Sequence, residues 1–171
     1  MGLADDLGYV YPRPTVVHRG VQAFAATRGG AWLFAKTLPP ADRVVSTASK
    51  GRVTVPAIMA RLPVLDLTTT GRKSGQPRHT HLIAVPFGDT LALIGTNFGQ
   101  ANTPAWVFNL EAEPRARVTY RDEARDVVAR PATEPERADI FATAASVYVG
   151  YAKYRQRISG RTVRVFVLDP A

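Results

Sequence analysis

Residues 67–78 read LTTTGRKSGQPR, and they decide the fold of what surrounds them: a strand, a tight turn and the start of a second strand. Three successive threonines suit a strand, because β-branched side chains pack well on a pleated surface. Gly71 and Gly75 bracket a turn, since glycine reaches positive φ at no steric cost. What sets this hairpin apart is charge: Arg72, Lys73 and Arg78 crowd around Ser74. Two readings stay open on the residues alone. One is a solvated turn, where cations are common. The other is an anion cradle, in which glycines let the backbone approach a phosphate and the cations neutralise it.

Short alternating runs continue on both sides of this stretch. Val64–Thr70 is expected as a strand, Arg78–Pro86 as its hairpin partner, and Thr90–Gly95 as a third strand after a turn at Gly88-Asp89. Arg115–Tyr120 and Ala124–Arg130 form a further hairpin across Arg121-Asp122-Glu123, and Thr162–Leu168 is the final strand. Between them, Thr103 and Pro104 mark a helix running to about Leu110, threonine as N-cap and proline at the first helical position. Thr133 and Glu136 form a capping box for a helix reaching about Tyr154 or Arg157. Before the strands, residues 1–14 read as an irregular arm, with Pro12 and Pro14 discouraging regular structure. Thr15–Leu38 reads as two helices broken at Gly29-Gly30 and stopped by Pro39-Pro40, and a short helix over Ala41–Ser49 follows. Hairpins and about six mostly antiparallel strands with flanking helices make this an α+β antiparallel barrel rather than a doubly wound parallel sheet. Residues 1–60 are expected to belong to the same unit as the barrel of residues 61–171.

A chain of 171 residues is long enough for one domain burying about 70% of its unfolded surface. Its 46% hydrophobic and 21% charged content is that of a globular protein. No apolar run reaches the ~18 residues of a membrane span, and the stretch MGLADDLGYVYPRP has no basic region or apolar core of a secretory signal. Without cysteine there are no disulfides or thiolate metal sites, which fits a cytoplasmic protein. A net charge of +8 attracts polyanions: nucleic acid, anionic lipid, or a phosphorylated or polycarboxylate small molecule. The cations are spread rather than blocked, which argues against a nucleic-acid arm.

Phosphate loops, GxGxxG, HExxH, GxSxG and CxxC are all absent. His79 and His81 alternate on one strand and face the same way, but two histidines make a poor metal site, so no metal is expected. Asp5-Asp6 lies in the arm, while Glu134 and Glu136 belong to a helix start, where acids complement the dipole. Three features remain. The first is the cationic turn. The second is the run GTNFGQANTPAWVFNL (residues 95–110), where a helix start offers unpaired N–H groups to an anion. The third is Tyr148, Tyr151 and Tyr154, spaced by three along one helical face, either a core stripe or the wall of a cleft for a flat ring. Together they describe a site for a planar, anionic ligand.

The blocks LTTTGRKSGQPR, NTPAWVFNLEAEPRARV and TEPERADIFATAASVYVGYAKY, in that order and spacing, resemble the deazaflavin-dependent nitroreductase and quinone reductase family of actinobacteria. The resemblance covers residues 61–171, about two thirds of the chain. It implies a split β-barrel like that of flavin-mononucleotide-binding proteins, the cofactor coenzyme F420 (8-hydroxy-5-deazaflavin), and hydride transfer to a quinone, nitroaromatic or other activated acceptor. By resemblance, Arg72, Lys73, Ser74 and Arg78 match positions holding the cofactor's phosphate and side chain. His79, Thr80, His81, Leu82 and Ile83 match the strand beside the ring. Ile94, Gly95, Thr96 and Asn97, then Ala105, Trp106 and Asn109, match further cofactor contacts. Tyr148, Tyr151 and Tyr154 fall on the family's substrate-side tyrosines, with Tyr151 as proton donor or substrate orienter, and Thr96 keeps a hydroxyl where the nitroreductase has serine. Two departures stand out: Asn97 occupies the position of a lysine, and the His79-Thr80-His81 trio differs from its counterpart.

On this resemblance the turn is a cofactor cradle and the +8 charge meets a phosphate and an oligoglutamate tail. Rival readings are a flavin-mononucleotide-binding oxidoreductase of the same barrel and a non-catalytic deazaflavin- or lipid-binding module. A nucleic-acid binder would instead show steep salt dependence. The N-terminal helices could lie on a membrane, suiting a membrane quinone, though the Gly29-Gly30 break and few cations argue against it.

Overall fold

A computed structural model describes residues 2–10, 63–97, 102–147 and 162–171. The helices expected within residues 15–49, Tyr148, Tyr151, Tyr154 and the far end of their helix lie outside the described residues. The chain divides into two compact units, Met1–Tyr9 with Leu65–Ala171, and Val10–Val64. Every described helix and strand belongs to the first unit.

Among the described residues the elements follow in the order α1 (Leu3–Asp6), β1 (Leu65–Thr70), β2 (Pro77–Leu82), β3 (Val85–Phe87), β4 (Thr90–Ile94), α2 (Ala105–Ala112), β5 (Arg115–Tyr120), β6 (Glu123–Pro131), α3 (Glu134–Val147, as far as it is described) and β7 (Val165–Pro170). The strands form one sheet in the order β2-β1-β5-β6-β7-β4-β3, every pair antiparallel. β2 and β3 lie at opposite edges yet only Ile83 and Ala84 separate them along the chain. Six flat inter-strand spacings would put those edges roughly 29 Å apart, while the two linking residues span at most about 10 Å. The sheet therefore curls into an antiparallel half-barrel, the split-barrel architecture of the α+β expectation.

Alternation explains the burial. In β1, Leu65, Leu67 and Thr69 are buried while the residues between them are less so. β4 and β7 are covered on both sides. Leu91 and Leu93 are fully buried, and Ala92 and Ile94 on the opposite face pack with Val165, Val167, Ile140 and Ala144 beneath α3. Burial on both faces is why TLALI and VFVL read as unbroken apolar runs.

Several boundaries depart from the sequence reading. The single strand expected over Arg78–Pro86 is two strands, broken at Ile83-Ala84, where the barrel turns a corner. The Tyr9 hydroxyl holds that corner, accepting from the Ala84 N–H (3.0 Å) and donating to the Ala84 carbonyl (3.2 Å). The arm expected to be irregular thus carries a helical turn, α1. Leu3, Leu7 and Tyr9 are buried, and Tyr9 packs edge-on against Tyr120 at 4.8 Å. Four residues are too few for a periodic signal, so tertiary burial makes this turn. The turn after β5 shrinks to Arg121-Asp122, because Glu123 pairs with Tyr120 and Arg121 takes the left-handed conformation (φ 55°). β7 starts later than expected and runs to Pro170, because β6 pairs with it from Phe166 to Pro170. At α3, Glu136 accepts from the Thr133 N–H (2.8 Å) and hydroxyl (3.0 Å), and Arg130 grips the same carboxylate at 2.8 Å. The expected box thus closes through the glutamate alone. These bonds hold the Glu136 carboxyl down to about 2, the Arg130 bond contributing most.

Candidate functional site

The turn after β1 is closed by its own backbone. Gly71 N–H donates to the Gln76 carbonyl (2.8 Å), and the Ser74 and Gly75 N–H groups donate back to the Gly71 carbonyl (3.1 and 2.7 Å). A side chain at Gly71 has no room: its Cβ would lie 2.7 Å from Ser74 Oγ, 3.1 Å from the Gln76 carbonyl and 3.2 Å from Arg78 Cγ. Gly75 takes φ 66°, the left-handed conformation glycine adopts freely. Ser74 Oγ accepts from the Gln76 N–H (3.3 Å) and from the Arg78 guanidinium (3.2 Å).

A buried relay ties this turn to the barrel. Arg72 N–H donates to Asn109 Oδ1 (3.1 Å), Asn109 Nδ2 donates to Thr69 Oγ1 (3.0 Å), and the Thr69 hydroxyl donates to the Arg78 carbonyl (3.5 Å). The Arg72 guanidinium lies 4.6 Å over the Phe108 ring, next to Asn109 on α2. Arg72, Lys73 and Arg78 are exposed, and among the described residues none pairs with a carboxylate. Arg117, Arg125, Arg130, Arg137 and Arg164 all do. Five described Lys and Arg side chains therefore lack an ion pair: Arg72 and Lys73 in this turn, Arg78 beside it at the start of β2, and Arg115 and Arg121 elsewhere.

α2 also supports the end of β4. A Cβ at Gly95 would sit 2.9 Å from Val107 Cγ2 and 3.3 Å from the Arg164 carbonyl, which accepts the Gly95 N–H at 2.9 Å. Only glycine allows the two elements to meet this closely. Thr96 is buried, and its N–H donates to the Ile94 carbonyl at 2.8 Å. Asn97 takes φ 49°, which asparagine tolerates better than most residues, and its Nδ2 donates to the Asn102 carbonyl (3.0 Å). Val107, Phe108 and Asn109 thus meet the β4 end, the Arg72 side chain and the turn's backbone in succession. Trp106 is buried 6.0 Å from Phe166, and Ala105 is exposed at the helix start. The helix begins one residue later than expected, with Pro104 as the capping residue and no side-chain cap from Thr103. The Pro104 carbonyl accepts the Val107 N–H instead.

Strand register separates the residues expected on β2. Arg78, Thr80 and Leu82 stand opposite Thr69, Leu67 and Leu65, on the face that meets α2. His79 and His81 stand opposite Thr68 and Asp66 on the other face. There His79 Nδ1 lies 3.0 Å from Thr68 Oγ1 and 3.7 Å from Asp66 Oδ2. Among the described residues no three His, Asp or Glu side chains converge on a metal-sized site. Sequence reasoning missed Thr69 and Phe108, whose parts depend on partners far along the chain, and Asp66, whose Oδ1 is buried without a hydrogen bond.

The family model for F420H2-dependent quinone reductases matches residues 42–170. An F420H2-dependent quinone reductase of Mycobacterium tuberculosis (strain H37Rv) is 31% identical over 109 residues, covering 62% of this chain and 72% of the relative. The structure of an F420-H2 dependent reductase superposes with TM-score 0.57 at 31% identity, covering 63% of this chain and 94% of that one. A domain-swapped dimer superposes with TM-score 0.58 at 28% identity, covering 76% and 99%. A half-barrel with a clamped cationic turn, matched along three quarters of its sequence, belongs to the F420H2-dependent quinone reductase family, oxidoreductases whose cofactor is coenzyme F420.

Proposed function

We propose that this chain reduces a quinone, and nitroaromatic or other activated acceptors as well, with Arg72, Lys73 and Arg78 holding the anionic part of the cofactor. The observation that carries this reading is the turn itself: three exposed cations without carboxylate partners, on a backbone fixed from beneath. Holding them so costs electrostatic self-repulsion, which a bound polyanion offsets. The residues present fit a phosphorylated, acidic cofactor. Gly71 admits no side chain, so the loop stays tight, and an arginine, a lysine and a hydroxyl offer the donors that phosphate oxygens accept.

When bound, reduced F420 supplies a hydride. The chain's own part is to orient and to manage a proton. The turn fixes the anionic end, and the β4 end with Gly95, Thr96 and Asn97 lines the same helix, so the donor is positioned rather than merely captured. Tyr151 Oη, flanked by Tyr148 and Tyr154, donates a proton to the acceptor oxygen that gains negative charge; this role rests on the resemblance.

The test is a fluorescence titration with F420 beside flavin mononucleotide, followed by turnover with a quinone panel. Binding of the deazaflavin alone, weakened by Arg72→Ala and Lys73→Ala, supports the reading. Preferential binding of flavin mononucleotide, or binding without turnover of any acceptor, would refute it. Tyr151→Phe is expected to lower kcat on the order of 100-fold, and full activity in that variant would remove the tyrosine from the mechanism.

A further inference from the structure

We infer that Asn109 does not touch the cofactor but is the positioning residue that presets the cationic turn for it, an inference resting on the assignment of that turn to the anionic end of F420. Asn109 is buried, and both ends of its amide are used inside the protein. The orientation is fixed by chemistry: a backbone N–H can only donate, so the oxygen must face Arg72 and the nitrogen must face Thr69. The Thr69 hydroxyl accepts that bond and donates its own to the Arg78 carbonyl. A relay through the buried Asn109 and Thr69 side chains therefore holds the backbone of Arg72 in the turn and reaches the carbonyl of Arg78 at the start of β2, its last bond the longest at 3.5 Å. Lys73 follows Arg72 directly, so the same bond orients its backbone. The Arg72 side chain is held separately, by the Phe108 ring. Neighbouring residues of α2 thus fix the backbone and the guanidinium of the same arginine.

The consequence is pre-organisation. Three like charges on a loose turn would spread apart, and a ligand would have to collect them again at a cost in entropy and repulsion. A turn held through the buried Asn109 and Thr69 side chains carries that cost in the folding of the protein.

The distinction from a direct ligand is measurable. Asn109→Ala should weaken F420 binding about tenfold, the loss appearing in KM for the donor more than in kcat. Thr69→Val, nearly isosteric and lacking the hydroxyl, should weaken binding in the same direction, and Thr69→Ser should restore it. In a background carrying Arg72→Ala, Lys73→Ala and Arg78→Ala, adding Asn109→Ala should change affinity little, because the residue acts through those cations. Exchange of the Arg72 amide proton should quicken in Asn109→Ala while amides of β5 and β6 keep their protection. An undiminished effect in the triple background would make Asn109 a direct ligand and overturn the inference. Wild-type binding of F420 with unchanged affinity in Asn109→Ala and Thr69→Val would overturn it while leaving the cofactor assignment standing. Failure of the wild type to bind F420 would overturn both.

Discussion

Replacing Gly71 with alanine tests the cradle at its tightest point. The added Cβ would lie 2.7 Å from Ser74 Oγ, and that hydroxyl can swing away only by releasing the Gln76 N–H and the Arg78 guanidinium. The Gln76 carbonyl at 3.1 Å cannot retreat without lengthening the bond from the residue 71 N–H that closes the turn. Two exposed hydrogen bonds of about 0.5–1 kcal/mol each put the cost near 1–2 kcal/mol. For a chain of this length that lowers Tm by about 2–8 °C. The same energy, carried into the placement of Arg78, weakens F420 binding about 5–30-fold. Thermal unfolding and fluorescence titration of one preparation separate the two effects. Gly88→Ala is the control: it strains a remote hairpin glycine at φ 58°, so it should lower Tm and leave F420 affinity unchanged. If Gly71→Ala behaved like Gly88→Ala, destabilised but binding normally, the turn would not be the cofactor's cradle.

Removing cations from the turn acts on charge rather than shape. Arg72→Ala and Lys73→Ala should each weaken F420 binding by roughly tenfold and flatten its salt dependence, measured by titration at several ionic strengths. Arg72→Lys should recover only part of the loss, since lysine keeps the charge but gives up the planar stack on Phe108. Tyr9→Phe removes the hydroxyl that bonds both polar groups of Ala84, at a cost of about 1–3 kcal/mol visible in denaturant unfolding. The Glu136 carboxyl is held near 2, below its ordinary 4.5, so its ionised form favours the folded state. That contribution is complete above about 4.5 and fades as pH falls toward 2. Glu136→Gln should therefore flatten the fall in stability across that window, read as Tm against pH.

Local chemistry made most of the sheet legible. The hairpins at Gly88-Asp89 and Arg121-Asp122 follow from turn residues between alternating runs, and β1, β4 and β5 lie within a residue or so of their expected bounds. What failed was non-local. The break at Ile83-Ala84 is held by a tyrosine 75 positions away, and nothing between residues 78 and 86 announces it. The same tyrosine, buried against Tyr120, draws α1 into the barrel although prolines follow it. In the candidate site, cations and glycines together suggest an anion cradle, beside the plainer reading of a solvated turn. The grouping of the site residues was not legible. His79 and Arg78 are neighbours in sequence, and one residue of register puts them on opposite faces. Asn109 is singled out by the resemblance as a cofactor contact, but its tie to the turn is seen only in its bonds, 37 and 40 residues distant.

Asn97 stands where the resemblance leads one to expect a cation, and its geometry gives the change a local reason. Its position carries lysine in the nitroreductase to which the three sequence blocks are similar, so a cation is missing from the expected set. The backbone there is left-handed, a conformation asparagine adopts more readily than lysine, and the amide spans to the Asn102 carbonyl. A charge has been exchanged for a tie that shapes the stretch between β4 and α2. On the proposed assignment, attraction for an anion then rests more heavily on Arg72, Lys73 and Arg78, and on the buried asparagine that holds the Arg72 backbone directly and reaches Arg78 through Thr69. Where fewer cations bind a polyanion, each must be better placed, because affinity lost in charge is recovered only by lowering the cost of bringing the remaining charges together.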